Sequence, residues 1–287
     1  MSSWFVYSLA AFFLMGIQGF LYKVAVERRC DTARTTFVFM ATVAALSFIF
    51  WAYLREPMGN LATLTILAFV NSLTFLAATM TFIEALKFVP ATMAYSVARL
   101  NLVILTIFSF VWFHDRLSMY QISGIVIALA AMFILTKSMN QGEAKQEHFK
   151  KGFVFLMISL FSSAIAAISS KYAAMYVGKL SFLAFVYSIA ALSSAALFKK
   201  PNINAPQSDK AVATVTIGLA MGILNFFGYY AFLMALSMGP LSLVASITGM
   251  HFVVSVLLSI LIYRERLSSA RVVGFFLTIL SIVLLSL

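Results

Sequence analysis

Charge is what this chain has least of: 10% of its 287 residues are charged, and only nine are acids. That scarcity excludes a water-soluble domain. With 63% hydrophobic residues and a mean hydropathy of +1.01, the chain carries more apolar surface than a soluble core could hide. A single cysteine, Cys30, excludes an internal disulfide. Three histidines and no Cys/His cluster at ligand spacing leave no sign of a metal site, redox chemistry or any other cofactor. The sequence also lacks an HExxH motif, a pair of intramembrane aspartates and a Ser/His arrangement at recognisable spacing, so it does not read as an enzyme.

What is present is lipid-compatible helix. A helix satisfies its own backbone hydrogen bonds and can show apolar side chains to hydrocarbon. Ten segments have the roughly 20 apolar residues that a span needs. They run from Trp4 to Val26, Thr35 to Leu54, Leu61 to Phe82, Ala91 to Phe113, Leu117 to Thr136, Phe153 to Ala174, Leu180 to Phe198, Ala211 to Leu236, Leu241 to Tyr263 and Leu267 to Leu287. Met1 to Leu14 lacks the basic region and cleavage site of a secretory signal and reads as the start of the first span. Short connections make consecutive helices antiparallel neighbours. The polar stretch KSMNQGEAKQEHFKK, Lys137 to Lys151, reads as a linker between halves. The predicted organisation is a first five-helix repeat over 1–137, a linker over 138–151 and a second repeat over 152–287.

The net charge of +11 does not point to nucleic acid, because no soluble module is there to carry such binding. The basic residues sit between apolar runs, where they hold loops against lipid headgroups. Odd-numbered connections hold 14 of them and even-numbered connections three, so the positive-inside rule predicts cytoplasmic odd connections and both termini outside.

The chain repeats itself. Residues 85–124 align without a gap onto 235–274, at an offset of 150, with identity at Ala85/Ala235, Leu86/Leu236, Pro90/Pro240, Arg116/Arg266, Ser118/Ser268 and Gly124/Gly274, among others. Five spans per copy is an odd number, so the second copy enters the membrane in the opposite direction. Inverted repeats of this kind frame alternating access, with a binding site near the midplane.

The segments FIEALKFVPATMAYSV and FHDRLSMYQISGIVIALAAMFIL, and the copy that ends YRERLSSARVVGFFLTILSIVLL, resemble the EamA-type drug/metabolite transporter superfamily. The marks are Ala85, Leu86 and Pro90 with Asp115, Arg116, Leu117, Ser118 and Gly124, then Ala235 to Pro240 with Glu265 to Ser268 and Gly274. The resemblance implies ten helices, a cavity lined mainly by helices 1, 3, 4, 6, 8 and 9, and export or exchange of amino acids, metabolites or drugs. It implies a place in the cell (inner) membrane. Many relatives carry a proline early in helices 4 and 9; this chain has none between Ala91 and Thr136 or between Leu241 and Leu287, so a different bend is expected there.

Several residues stand out as candidate substrate contacts. Arg99 lies about 13 Å into the fourth span, where an unpaired cation costs several kcal/mol. It is either a cavity cation for a carboxylate or phosphate, or the buried partner of Glu84. Tyr95 shares its face one turn earlier and is either a ligand contact or an interhelical Tyr. Lys23 and Lys171 occupy matching places near the ends of helices 1 and 6; they either meet substrate in turn at the two mouths or snorkel to headgroups. Asn101 and His251 are repeat-equivalent polar positions, the histidine readable as a proton relay or as a packing residue. Asn71 in helix 3 and Asn225, Tyr229 and Tyr230 in helix 8 read as ligand contacts or as interhelical glue.

Embedded Lys23, Arg99 and Lys171, against Glu84 alone among acids, favour anionic or zwitterionic cargo over cationic drugs. The expectation is therefore an all-α membrane protein that moves small metabolites, in contact with membrane lipid, as a monomer or homodimer. Proton coupling stays open, and a lipid or lipid-linked sugar flippase and a multidrug exporter are the rival readings.

Overall fold

The computed structural model describes residues 2–28, 30–85, 88, 97–98, 100–115, 117–137, 149–196, 208–263 and 269–287. The described chain is almost wholly helical: α1 (Ser3–Glu27), α2 (Thr32–Leu54), α3 (Leu61–Ala85), α4 (Asn101–Trp112), α5 (Met119–Lys137), α6 (Phe149–Tyr176), α7 (Lys179–Ala196), α8 (Ser208–Met238), α9 (Leu241–Gly249), α10 (Phe252–Tyr263) and α11 (Ser269–Ser286). The segments α9 and α10 together make one span, Leu241–Tyr263, so the elements form ten spans. Six are long and apolar enough to cross a bilayer outright, and the other four are shorter apolar helices. The helix α6 begins at Phe149, inside the stretch read from sequence as linker.

Inversion of the two halves is visible at one end of the bundle. The chain enters α1 there, because a side chain on Gly239 would collide with Trp4. The helix α6 finishes at the same end, where Lys171 donates to the Gly239 carbonyl and Val177 bridges Gly59. The first helices of the two repeats thus run in opposite directions, and the packing repeats with them. The third helix of each half lies on the first helix of the other, α3 against α6 and α8 against α1, while α2 packs on α7 and α5 on α11.

The same end is knit together by the connections between α2 and α3 and between α6 and α7. The Glu56 carboxylate accepts from the backbone N–H groups of Lys179 and Leu180, at 3.0 and 2.8 Å, and so caps the otherwise unsatisfied N-terminus of α7. The Trp51 indole donates to the Glu56 carbonyl at 2.9 Å, and the Gly178 N–H to the Met58 carbonyl at 3.1 Å. Gly59 takes φ +75°, a left-handed conformation that glycine adopts without steric cost.

The absence of proline does not straighten the fourth and ninth spans. The ninth breaks at Met250 and His251, where N–H groups reach back three residues, Met250 to Ile247 and His251 to Thr248, in place of the helical four. The fourth is interrupted at Leu100, whose N–H bonds Val97 and whose carbonyl accepts from Val103, again at a spacing of three. Leu100 and Met250 are 150 residues apart, the repeat offset. Both breaks are present without proline, at repeat-equivalent positions, and are made by tightened turns.

Candidate functional site

Among the described residues, two groups of polar side chains in the interior bear on function. The first is a chain of hydrogen bonds through three helices. The Tyr187 hydroxyl on α7 donates to Asn225 Oδ1 on α8 at 2.5 Å, Asn225 Nδ2 donates to Gln18 Oε1 on α1 at 2.9 Å, and Gln18 Nε2 reaches the Tyr22 hydroxyl at 3.5 Å. Beside it, Asn71 on α3 places Nδ2 within 2.8 Å of the Ala166 carbonyl, 2.9 Å of Ser169 Oγ and 3.0 Å of Ser170 Oγ, all on α6. Ser170 spends its own hydroxyl proton on the Ala166 carbonyl, so the Tyr229 hydroxyl, 2.9 Å away, is the donor in that pair. The Tyr187 and Tyr229 rings meet edge to face, with centroids 6.0 Å apart, and join the two systems.

Burying these groups costs stability unless each finds a partner, and here each one does. Asn71, Asn225 and Tyr229, predicted as substrate contacts, are thus brought together, bonded mainly to protein. Sequence reasoning passed over Gln18, Ser170 and Tyr187. Gln18 and Ser170 had a readable signal, polar residues deep within apolar spans. Tyr187 had none, since tyrosine is at home in a membrane helix.

The second set lies at the helix breaks. A pocket of about 80 Å³ is lined by Ala98, Asn101, Leu102 and Leu105 around the break in the fourth span, by Ala245 and Gly249 at the break in the ninth, and by Met132 of α5. Asn101 Oδ1 is buried, and among the described residues it has no hydrogen-bond donor. Its repeat equivalent, His251, is only partly buried, with Nδ1 2.8 Å from the Thr248 carbonyl. Arg99 and Tyr95 lie outside the described residues. So does any pairing between Arg99 and Glu84.

The two lysines occupy opposite ends. Lys171 is only 7% exposed, and its Nζ donates to the carbonyls of Leu236 at 2.6 Å and Gly239 at 2.9 Å, beneath the Phe113 ring at 5.5 Å. It therefore does not snorkel to headgroups. Lys23 is half-buried, with its Nζ 4.8 Å from the Tyr263 ring. Phe113 and Tyr263 are themselves 150 residues apart. Among the described residues, no group of three or more His, Cys, Asp or Glu side chains could hold a metal ion.

The sequence profile of the EamA-like transporter family matches residues 2–137 and, a second time, residues 150–287. No curated protein matches the chain in sequence. A solved crystal structure, described only as that of a protein, superposes with a TM-score of 0.76 at 19% identity, over 99% of this chain and 96% of its own. At that identity the likeness shows the fold alone.

Proposed function

Since the chain belongs to the EamA-like transporter family, whose members are multi-pass membrane transporters, we propose that it is a secondary transporter of small zwitterionic or anionic metabolites, amino acids foremost, working by alternating access in the inner membrane. The observation that carries this reading is the pair of repeat-equivalent breaks at Leu100 and Met250, which face one small pocket with an acceptor, Asn101 Oδ1, that is unsatisfied among the described residues. Broken helices at a repeat interface free backbone groups and polar side chains for a solute near the midplane. An orphaned buried acceptor costs about 1–3 kcal/mol, a penalty that a donor on the solute relieves. An ammonium or hydroxyl group supplies that donor. Arg99, two residues earlier, is the candidate for the carboxylate.

Alternating access draws support from the described residues at one end. One end is tied shut by Glu56, Gly59 and Lys171, as a carrier closed on that side requires. The charge count would place that end outside.

A thermal-shift screen of purified protein against a metabolite panel, followed by counterflow in liposomes, tests the reading. An amino acid or organic anion should stabilise the protein and exchange across the membrane, and Arg99→Ala should abolish exchange while the protein stays folded. Stabilisation by lipid-linked compounds alone would replace a soluble-solute carrier with a flippase, and stabilisation by lipophilic cations would favour a drug exporter.

A further inference from the structure

Resting on the transport reading, we propose that Lys171 and Lys23 are gate-positioning residues, each of which receives the end of the other repeat's broken helix and holds one end of the pathway closed in turn.

The turn after α8 lacks one backbone proton. In a continuing helix the Leu236 carbonyl would accept from the N–H of the residue four places on. That residue is Pro240, which has none. The Ala-Leu-x-x-x-Pro turn therefore leaves a carbonyl open at the negative end of α8, and Lys171 fills it while also binding the Gly239 carbonyl. A cation held this way is fixed in place and relieved of much of its burial cost.

Onto this fixed cation the first repeat docks the end of its broken helix. Phe113 lays its ring over Nζ, and Asp115 acts on Lys171 electrostatically. The Ser109 hydroxyl donates to the Asp115 carboxylate, and Ser109 Oγ accepts from the Ser242 N–H at 3.4 Å, so the end of α4 is also tied to the start of α9. Trp4 covers Gly239 from the remaining side. Lys171 thus stands where α4, α6 and the turn between α8 and α9 converge.

Lys23 stands in the corresponding place of the first repeat, against Tyr263, the counterpart of Phe113. The sequence carries a second Ala-Leu-x-x-x-Pro motif at 85–90, and Pro90 likewise has no N–H to give. The two lysines are unequal in burial: Lys171 is buried, whereas Lys23 is half-buried. That inequality is what two gates used alternately require, since both cannot be closed fully in every state.

Labelling of a reporter cysteine tests the proposal. Ser242 is fully buried just past the Lys171 turn, and Cys30, the one native cysteine, is replaced by serine. In that background Ser242→Cys is labelled in detergent with a bulky hydrophilic maleimide. Lys171→Met, which keeps volume and removes the charge, should speed labelling about tenfold, and Lys171→Arg should restore part of the protection. Lys23→Met should slow labelling severalfold, because it weakens the state in which the reporter's end is open.

A purely structural role moves both variants in the same direction. Faster labelling in both, or no change in either, overturns the proposal. Size exclusion verifies assembly. Should Lys171→Met fail to assemble, Phe113→Leu and Tyr263→Leu must give the same opposed pair of shifts or the proposal falls. The readout needs no solute, so its failure leaves solute-induced stabilisation, the test of the transport reading, untouched.

Discussion

Asn225 Nδ2 on α8 donates to Gln18 Oε1 on α1 at 2.9 Å, joining the third helix of one repeat to the first helix of the other. Asn71 does the same job in the mirrored interface, from α3 to the Ala166 carbonyl of α6. The two asparagines are not repeat-equivalent, since Asn71 falls opposite Met221 at the offset of 150. The halves therefore share an architecture while each has found its own polar contact across it.

The Asn225 bond predicts a measurable coupling. Hydrogen bonds between membrane helices contribute about 0.6 kcal/mol on average and up to about 1.7. Asn225→Leu should lower the melting temperature by a few degrees, because it strands the Gln18 acceptor and leaves the Tyr187 hydroxyl without its acceptor. Gln18→Leu alone should cost less. The double variant should be more stable than the sum of the two losses predicts, and strict additivity in a double-mutant cycle would show that the bond carries no coupling.

Asn101 predicts a trade of stability against function. Replacing an unsatisfied buried acceptor with an apolar side chain of similar size removes its desolvation penalty, so Asn101→Leu should raise stability by about 1 kcal/mol. The same change should abolish the thermal shift given by whichever metabolite stabilises the unaltered protein. A variant that loses stability, or still responds fully to the metabolite, would remove Asn101 from the site.

The spans and the duplication were legible because both are long-range averages: twenty apolar residues mark a helix whatever its neighbours, and the match of Pro90 with Pro240 survives divergence elsewhere. Asn101 and His251 were legible as a pair for the same reason. The break at Met250 was not, because tightened turns stand in for proline there and no residue type marks them. Partners were not legible either. That Asn71 meets Ala166, Ser169 and Ser170 depends on how α3 and α6 cross, which composition leaves undetermined. Lys171 lies between these cases, since Pro240 announces an open carbonyl at Leu236 but not the cation that fills it.

Glu56 predicts an ordered series. Its two oxygens serve the Lys179 and Leu180 N–H groups, and its charge opposes the positive end of the α7 dipole. Glu56→Gln keeps an acceptor and loses the charge, for a cost of about 0.5–1 kcal/mol. Glu56→Ala strands both donors and should cost about 1–2 kcal/mol. Equal melting temperatures for the two variants would show that the charge, not the acceptor geometry, dominates the cap.

Close packing of α8 on α2 gives the last prediction. The Gly218 and Gly222 pair does not open onto a cavity: a Cβ at Gly222 would lie 2.5 Å from Thr42 Cβ and 3.0 Å from the Phe39 carbonyl, and one at Gly218 would lie 2.9 Å from Val38 Cβ. Small residues let helix backbones approach in lipid, where van der Waals contact replaces the hydrophobic drive that water supplies. Gly222→Ala should therefore push the helices apart and cost about 1–3 kcal/mol, like other overpacking changes. Because the nearest obstacle is the Thr42 side chain, Thr42→Gly should recover part of that loss when combined with Gly222→Ala, although alone it would destabilise by leaving a gap. Recovery must stay incomplete, since the Phe39 carbonyl is backbone and has nowhere to go. Full recovery, or no penalty for Gly222→Ala in a melting experiment, would mean that α2 and α8 are held at their spacing by something other than the contact between these two faces.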